Sequence, residues 1–156
     1  MSDEALMRHA IALSRRGMLA GEGGPFGVVI VRQGIIVAEG NNQVLATLDP
    51  TAHAEVVAIR RAAQALKRFD LSDCVIYTSC EPCPMCLGAI YWARLAAIHY
   101  ANTRQDAARI GFDDEFFYQE LAHPLAERKV PMLPLLREEA LPVFQEFMTL
   151  PNRQTY

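Results

Sequence analysis

The apolar positions change their spacing several times along the chain, and each change marks an element. Between residues 3 and 20, Leu6, Ala10, Leu13 and Leu19 recur at helical intervals behind Ser2 or Asp3, either of which can cap a helix. A glycine cluster, Gly21 to Gly27, interrupts the pattern. Two β-branched runs follow, Val28 to Val31 and Ile35 to Val37, and the Gln33-Gly34 pair between them predicts a hairpin. After Asn41-Asn42 the chain reads as polar up to Asp49-Pro50-Thr51, a start signal for an Ala-rich helix running to about Lys67.

Cys74 to Ser79 reads as a buried strand. Pro82 and Pro84 delay the next helix to about Cys83; it carries Met85, Leu87, Ile90 and Trp92 and ends near Arg94. Ala96 to Tyr100 predicts a further strand. From Asp106 onward, short helices and loops alternate. A strand is expected near Met132 to Leu136, then a helix over Glu138 to Met148 and an extended tail over 149–156. Strands alternating with helices predict a three-layer α/β/α sandwich, with the hairpin making its central sheet mixed.

A length of 156 residues fits a single domain. With 51% hydrophobic and 21% charged residues, disordered and collagen-like chains are excluded. No apolar run approaches the roughly 18 residues of a membrane span. The acidic start, Met1-Ser2-Asp3-Glu4, lacks the features of a signal peptide, so a cytoplasmic protein with no membrane partner is expected. A formal charge of −3 argues against a nucleic-acid partner, and Arg15-Arg16 and Arg60-Arg61 read as solvated helix faces. Cys80, Cys83 and Cys86 are too bunched to staple a fold and point to metal or redox chemistry.

Gly21-Glu22-Gly23 superficially matches a dinucleotide fingerprint, but it precedes a strand instead of following one. A tight connection explains it, as does a need for Phe26 to approach a planar ligand. The sharper signal comes from two segments, each following a strand. His53-Ala54-Glu55 and Pro82-Cys83-Pro84-Met85-Cys86 each open a helix and together supply one imidazole and two thiolates. Those are three ligands for a tetrahedral zinc ion with one position left open for catalysis. Glu55, two residues beyond the ligand, reaches the water that such an ion acidifies and can pass on its proton. The spacing H-x-E…P-C-x-x-C is the signature of zinc nucleobase deaminases. A closed, inert site with Cys80 as fourth ligand is the alternative. An iron–sulfur cluster would need a cysteine where Ile90 stands, and a thiol–disulfide enzyme leaves His53 and Glu55 without a task.

These residues resemble the cytidine deaminase superfamily, and within it the short, zinc-dependent bacterial guanine deaminases. The resemblance covers essentially the whole chain. It rests on Gly24-Pro25-Phe26-Gly27, Asp49 to Glu55, Tyr77 to Cys86, Ile90-Tyr91-Trp92-Ala93-Arg94, Gly111-Phe112-Asp113-Asp114 and Tyr156. It implies a cytidine deaminase-like fold and hydrolysis of guanine to xanthine and ammonia, with one Zn2+ per subunit on His53, Cys83 and Cys86. Glu55 would shuttle the proton to the ring nitrogen, and Asp114 would serve the departing amine. Phe26, Asn42, Trp92 and Tyr156 would contact the purine. A homodimer with a swapped C-terminal segment is implied, so that Tyr156 closes the partner's site.

Read from the residues alone, Asp113-Asp114 also suits a helix cap, and Asn42 a turn. The polar tail could equally fray. Guanosine deaminases share the central motifs and rank second. A tRNA adenosine or cytosine deaminase ranks third, because residues 138–148 carry Glu138, Glu139 and Glu146 and no Lys or Arg.

Overall fold

A computed structural model describes residues 1–156, which divide into two compact units, Met1–Tyr118 and Gln119–Tyr156. In the first unit, helix α1 (Asp3–Leu19) starts at Ser2, whose hydroxyl accepts the Ala5 amide at 3.3 Å. Strands β1 (Gly27–Arg32) and β2 (Ile35–Asn41) form the expected hairpin, with Gln33 and Gly34 both at positive φ in its turn. Then come α2 (Val44–Thr47), α3 (Ala54–Leu66), β3 (Cys74–Cys80), α4 (Pro84–Trp92), β4 (Ala97–Asn102), α5 (Arg104–Arg109) and α6 (Asp114–Ala122), whose last turn enters the second unit.

The strands are ordered β2-β1-β3-β4; β1 pairs antiparallel with both neighbours, and β3 pairs parallel with β4. The sheet is therefore mixed. Because side chains alternate along a strand, β1 feeds two cores. Val28 and Ile30 pack with Ala54, Ala58 and Ala62 of α3 and Ile90 of α4. Val29 and Val31 face the other way, onto Leu6, Ala10 and Leu13 of α1. Helices thus cover both faces, and each βα connection on the β3 side opens beyond the strand ends, where sites in such sheets form.

Two expectations are corrected in this unit. The Ala-rich helix begins at Ala54, not at Asp49-Pro50-Thr51, because the Asp49 carboxylate accepts the Thr51 amide at 2.8 Å and its hydroxyl at 2.7 Å, closing a turn instead. The stretch after Asn42 is not irregular throughout: Val44–Thr47 forms a short helix.

The second unit holds a single 3-10 turn (Leu125–Glu127) and helix α7 (Arg137–Thr149). The expected strand near Met132 to Leu136 is absent: those residues have no ladder partners, and Leu136 adopts a left-handed backbone (φ 54°, ψ 35°) as the N-cap of α7. Pro131 and Pro134 remove two of the amides that a ladder needs. No residue from 119 onward is buried, and Leu133, Leu135 and Phe144 are 84%, 84% and 75% exposed.

Candidate metal centre and active site

Two helix starts converge beyond the sheet. His53 is the N-cap of α3 and Cys83 the N-cap of α4, both with extended backbone and neither side chain spent on capping its own helix. Pro84 fits at the first helical position, where no amide is needed. Cys86 then falls within the first turn, on the same side as Cys83. His53 Nδ1 lies 3.6 Å from Cys83 Sγ and 3.4 Å from Cys86 Sγ, and the three donor atoms all fall within 4.8 Å of one another.

Those separations fit zinc. With Zn–S about 2.3 Å and Zn–N about 2.05 Å, the N···S edge of a tetrahedron is about 3.6 Å. The protonation pattern suits a thiolate ligand. Hydrogen bonds from the Cys86 side chain, from His53 and from the Cys86 backbone amide hold the Cys83 thiol at about 4, against the opposing effect of burial. The same contact raises Cys86, and the hydrogen bond to Cys83 raises His53.

Cys80 does not join this group. It is buried at the end of β3, and its thiol points to the Thr103 carbonyl 3.7 Å away. Burial, together with the charges of Asp114 and Glu55, pushes it up to about 12. The closed four-ligand alternative therefore lacks its fourth ligand.

A cavity of about 370 Å³ opens beside the three donors and is bordered by His53, Cys83, Glu55, Asp114, Phe26 and Asn42. Glu55 is 6% exposed; burial, and secondarily the Cys83 charge, raises its carboxyl above the usual range. Burial likewise raises Asp114. Both carboxyls thus hold a proton more readily than an exposed carboxylate does, which moves them toward the range where a group can both take one and give it back.

Phe26 meets Phe112 edge to face, with centroids 4.9 Å apart and planes at 84°. This pair explains Gly24, where a Cβ would sit 2.9 Å from both rings. Gly23 is explained by Asn42, against whose side-chain oxygen and backbone a Cβ would collide. Asn42 is buried, and its Oδ1 accepts the Val44 amide at 3.1 Å, so the turn role is real and coexists with its place on the cavity wall.

Trp92 is not among the residues bordering this cavity. It ends α4, nine residues after Cys83, which at 1.5 Å per residue is roughly 13 Å along the axis. It borders a different depression with Leu87 and Tyr91 and is 63% exposed. Tyr156 belongs to the second unit and is 70% exposed there.

Several contributors escaped the sequence reading. Glu22 accepts Asn41 Nδ2 at 2.6 Å and Gln43 Nε2 at 2.8 Å, and its backbone carbonyl accepts the amides of Leu45 and Ala46, which ties the glycine loop to the segment carrying Asn42. Glu81 also borders the cavity, and Arg104 neutralises it. These pairings join residues far apart in sequence and leave no periodic trace. Only Glu81, adjoining the Pro82-Cys83 motif, carried a local hint.

Residues 1–102 match the model of the cytidine and deoxycytidylate deaminase zinc-binding region. Over 156 residues the chain is 51% identical to a guanine deaminase of Bacillus subtilis, covering 100% of both. The solved structure of a Bacillus subtilis guanine deaminase superposes with a TM-score of 0.96, covering 100% of this chain and 99% of that one at 51% identity. A solved guanine deaminase of Nitrosomonas europaea gives 0.70 at 31% identity, covering 93% of this chain and 84% of that one. A tRNA-specific adenosine deaminase of Haemophilus influenzae is 35% identical across 74% of this chain and 66% of its own length.

Proposed function

The chain belongs to the cytidine and deoxycytidylate deaminase family, and on that premise we propose that it hydrolyses guanine to xanthine and ammonia with one zinc ion per subunit. The observation that carries this reading is the buried Glu55 carboxylate, which borders the same cavity as the His53, Cys83 and Cys86 donors. Zinc held by those three side chains would make a water molecule acidic enough to act as a nucleophile near neutral pH.

The remaining chemistry belongs to the chain. Glu55 takes the proton of the attacking water and delivers it to the purine ring nitrogen as the oxygen adds to the amino-bearing carbon. Asp114 supplies a proton to the departing amine and recovers one from the hydroxyl of the adduct as the new carbonyl forms, so that guanine and water become xanthine and ammonia with both carboxyls restored. Phe26, fixed by Phe112, stacks on the ring, and Asn42 hydrogen-bonds its edge. Trp92, at the far end of α4, has no contact to make in this cavity from its own chain.

The assembly belongs to the same reading: a homodimer whose C-terminal segments are exchanged, each Tyr156 closing the partner's site, so that 1–156 works as one deaminase domain. The support is energetic. A unit with no buried residue leaves Leu133, Leu135 and Phe144 in water, and β4 is an exposed sheet edge bearing Tyr100 at 52% exposure. A second copy of the chain would cover such surfaces. No disulfide joins the four cysteines, in keeping with a reducing cytoplasm, and no helix is long and apolar enough to cross a membrane.

Ammonia release by the zinc-loaded protein from guanine, guanosine, adenine and cytosine, measured side by side, tests the substrate. Release from guanine alone supports the proposal. Release mainly from guanosine means the site admits a ribose, and silence on all four ends the reading.

A further inference from the structure

Glu81 stands immediately before the Pro82-Cys83 ligand segment, and its carboxylate is fully engaged by one residue. Arg104 donates to it from the backbone amide at 2.8 Å, from Nε at 3.0 Å and from Nη2 at 2.9 Å. The Glu81 amide in turn donates to the Asn102 carbonyl at 2.8 Å, extending the β3–β4 pairing up to the ligand loop. The Arg104 guanidinium lies 3.5 Å over the centre of the Tyr118 ring. Tyr118 completes the circuit by donating its hydroxyl to the Pro82 carbonyl at 2.5 Å.

The circuit therefore runs Glu81, Arg104, Tyr118, Pro82, and its two ends are consecutive residues of the loop that delivers Cys83. Tyr118 sits on α6 one helical turn after Asp114, so both project from the same face. What fastens Tyr118 to Pro82 also fastens the first turn of α6, and Asp114 with it, to the metal ligand. A casual surface ion pair would not look like this. The Arg104 and Glu81 side chains are 30% and 18% exposed, and the planar fork of Arg104 is used on one side for the carboxylate and on its face for the ring.

We propose that Arg104 and Tyr118 are positioning residues that hold the Asp114 carboxylate in place against Cys83, so that turnover depends on them while zinc and substrate binding do not. The inference rests on the role given to Asp114 above.

The test compares full-length, zinc-loaded Tyr118→Phe, Arg104→Lys, Asp114→Asn and the Tyr118→Phe/Asp114→Asn double variant on guanine. Phenylalanine keeps the ring beneath the guanidinium and removes only the bond to Pro82; lysine keeps the charge and loses the fork. Each of these two should lower kcat about tenfold, a loss typical of residues that orient metal-site groups. KM and bound zinc should stay within about twofold, and the visible spectrum of the cobalt-substituted proteins should match wild type, reporting an unaltered ligand set. In the Asp114→Asn background, Tyr118→Phe should cost nothing further, because it acts through Asp114. The proposal is overturned if either single variant keeps kcat, if lost activity tracks lost zinc, or if Tyr118→Phe costs the same factor in both backgrounds. Full turnover by Asp114→Asn would instead remove the role of Asp114 itself.

Discussion

His53 Nδ1 lies 3.4 Å from Cys86 Sγ although 33 residues of chain separate them. Two strand-to-helix connections bring them together, each ending in an uncapped helix start, so the metal centre is a property of the sheet topology as much as of the motif. Loss of either side chain should therefore empty the site without unfolding the sheet.

Cys86→Ser should reduce bound zinc at least tenfold, while Cys80→Ser should keep one zinc per subunit, since the Cys80 thiol is committed to the Thr103 carbonyl. Metal analysis of the two purified variants checks this. Zinc lost from Cys80→Ser would point to the closed site instead.

Gly23→Ala places a methyl group against Asn42, whose backbone oxygen would lie 2.6 Å away. The overpacking should cost about 1–3 kcal/mol of stability. Because Asn42 borders the cavity, KM for guanine should rise more than kcat falls. Thermal melts and steady-state kinetics on the same preparation separate the two effects.

Phe26→Leu keeps apolar bulk but gives up the flat face and the edge contact with Phe112. About 0.5–1.5 kcal/mol of aromatic interaction is at stake, which predicts a roughly two- to tenfold rise in KM, with zinc content unchanged. Titration of a purine analogue into both proteins measures it directly.

The grouping of His53, Cys83 and Cys86 as candidate metal donors, with Glu55 beside them, was legible because short-range spacing dictates it: an imidazole at a helix start, a carboxylate two residues on, and two thiols within one turn. The hairpin, β3 and the amphipathic α1 were legible for the same reason, since their periods are local. Trp92 could not be placed from the spacing alone: the length of α4 carries residue 92 away from Cys83 and sets it in a different depression. Met132 to Leu136 has the apolarity of a strand, yet Pro131 and Pro134 deny it a ladder. Glu22 with Asn41, and Arg104 with Glu81, stayed hidden because pairing across 19 and 23 residues has no signature in one sequence.

Acid stability should depend on Asp73, away from the cavity. Partial burial pushes its carboxyl up, but hydrogen bonds from Arg68 and Arg32 outweigh that and hold it at about 2, below its ordinary 3.8. A carboxylate lowered in the folded state contributes stability that is fully present above the ordinary value and lost as pH falls toward the folded one. Asp73→Asn should therefore lower stability at neutral pH slightly and flatten its decline between pH 3.8 and about 2. Unfolding followed by circular dichroism across that range shows whether the two curves converge.

Glu55 moves the proton in the proposed reaction at a zinc-loaded guanine site, and turnover should fail without its carboxylate. Conversion of guanine to xanthine, followed by absorbance, should be compared for wild type and Glu55→Gln, with zinc quantified in the same cuvettes. Both proteins should carry one zinc per subunit, and the variant should lose kcat by at least about 10²-fold, the lower range for removing general acid–base catalysis. Wild-type turnover by a zinc-loaded Glu55→Gln protein would contradict it.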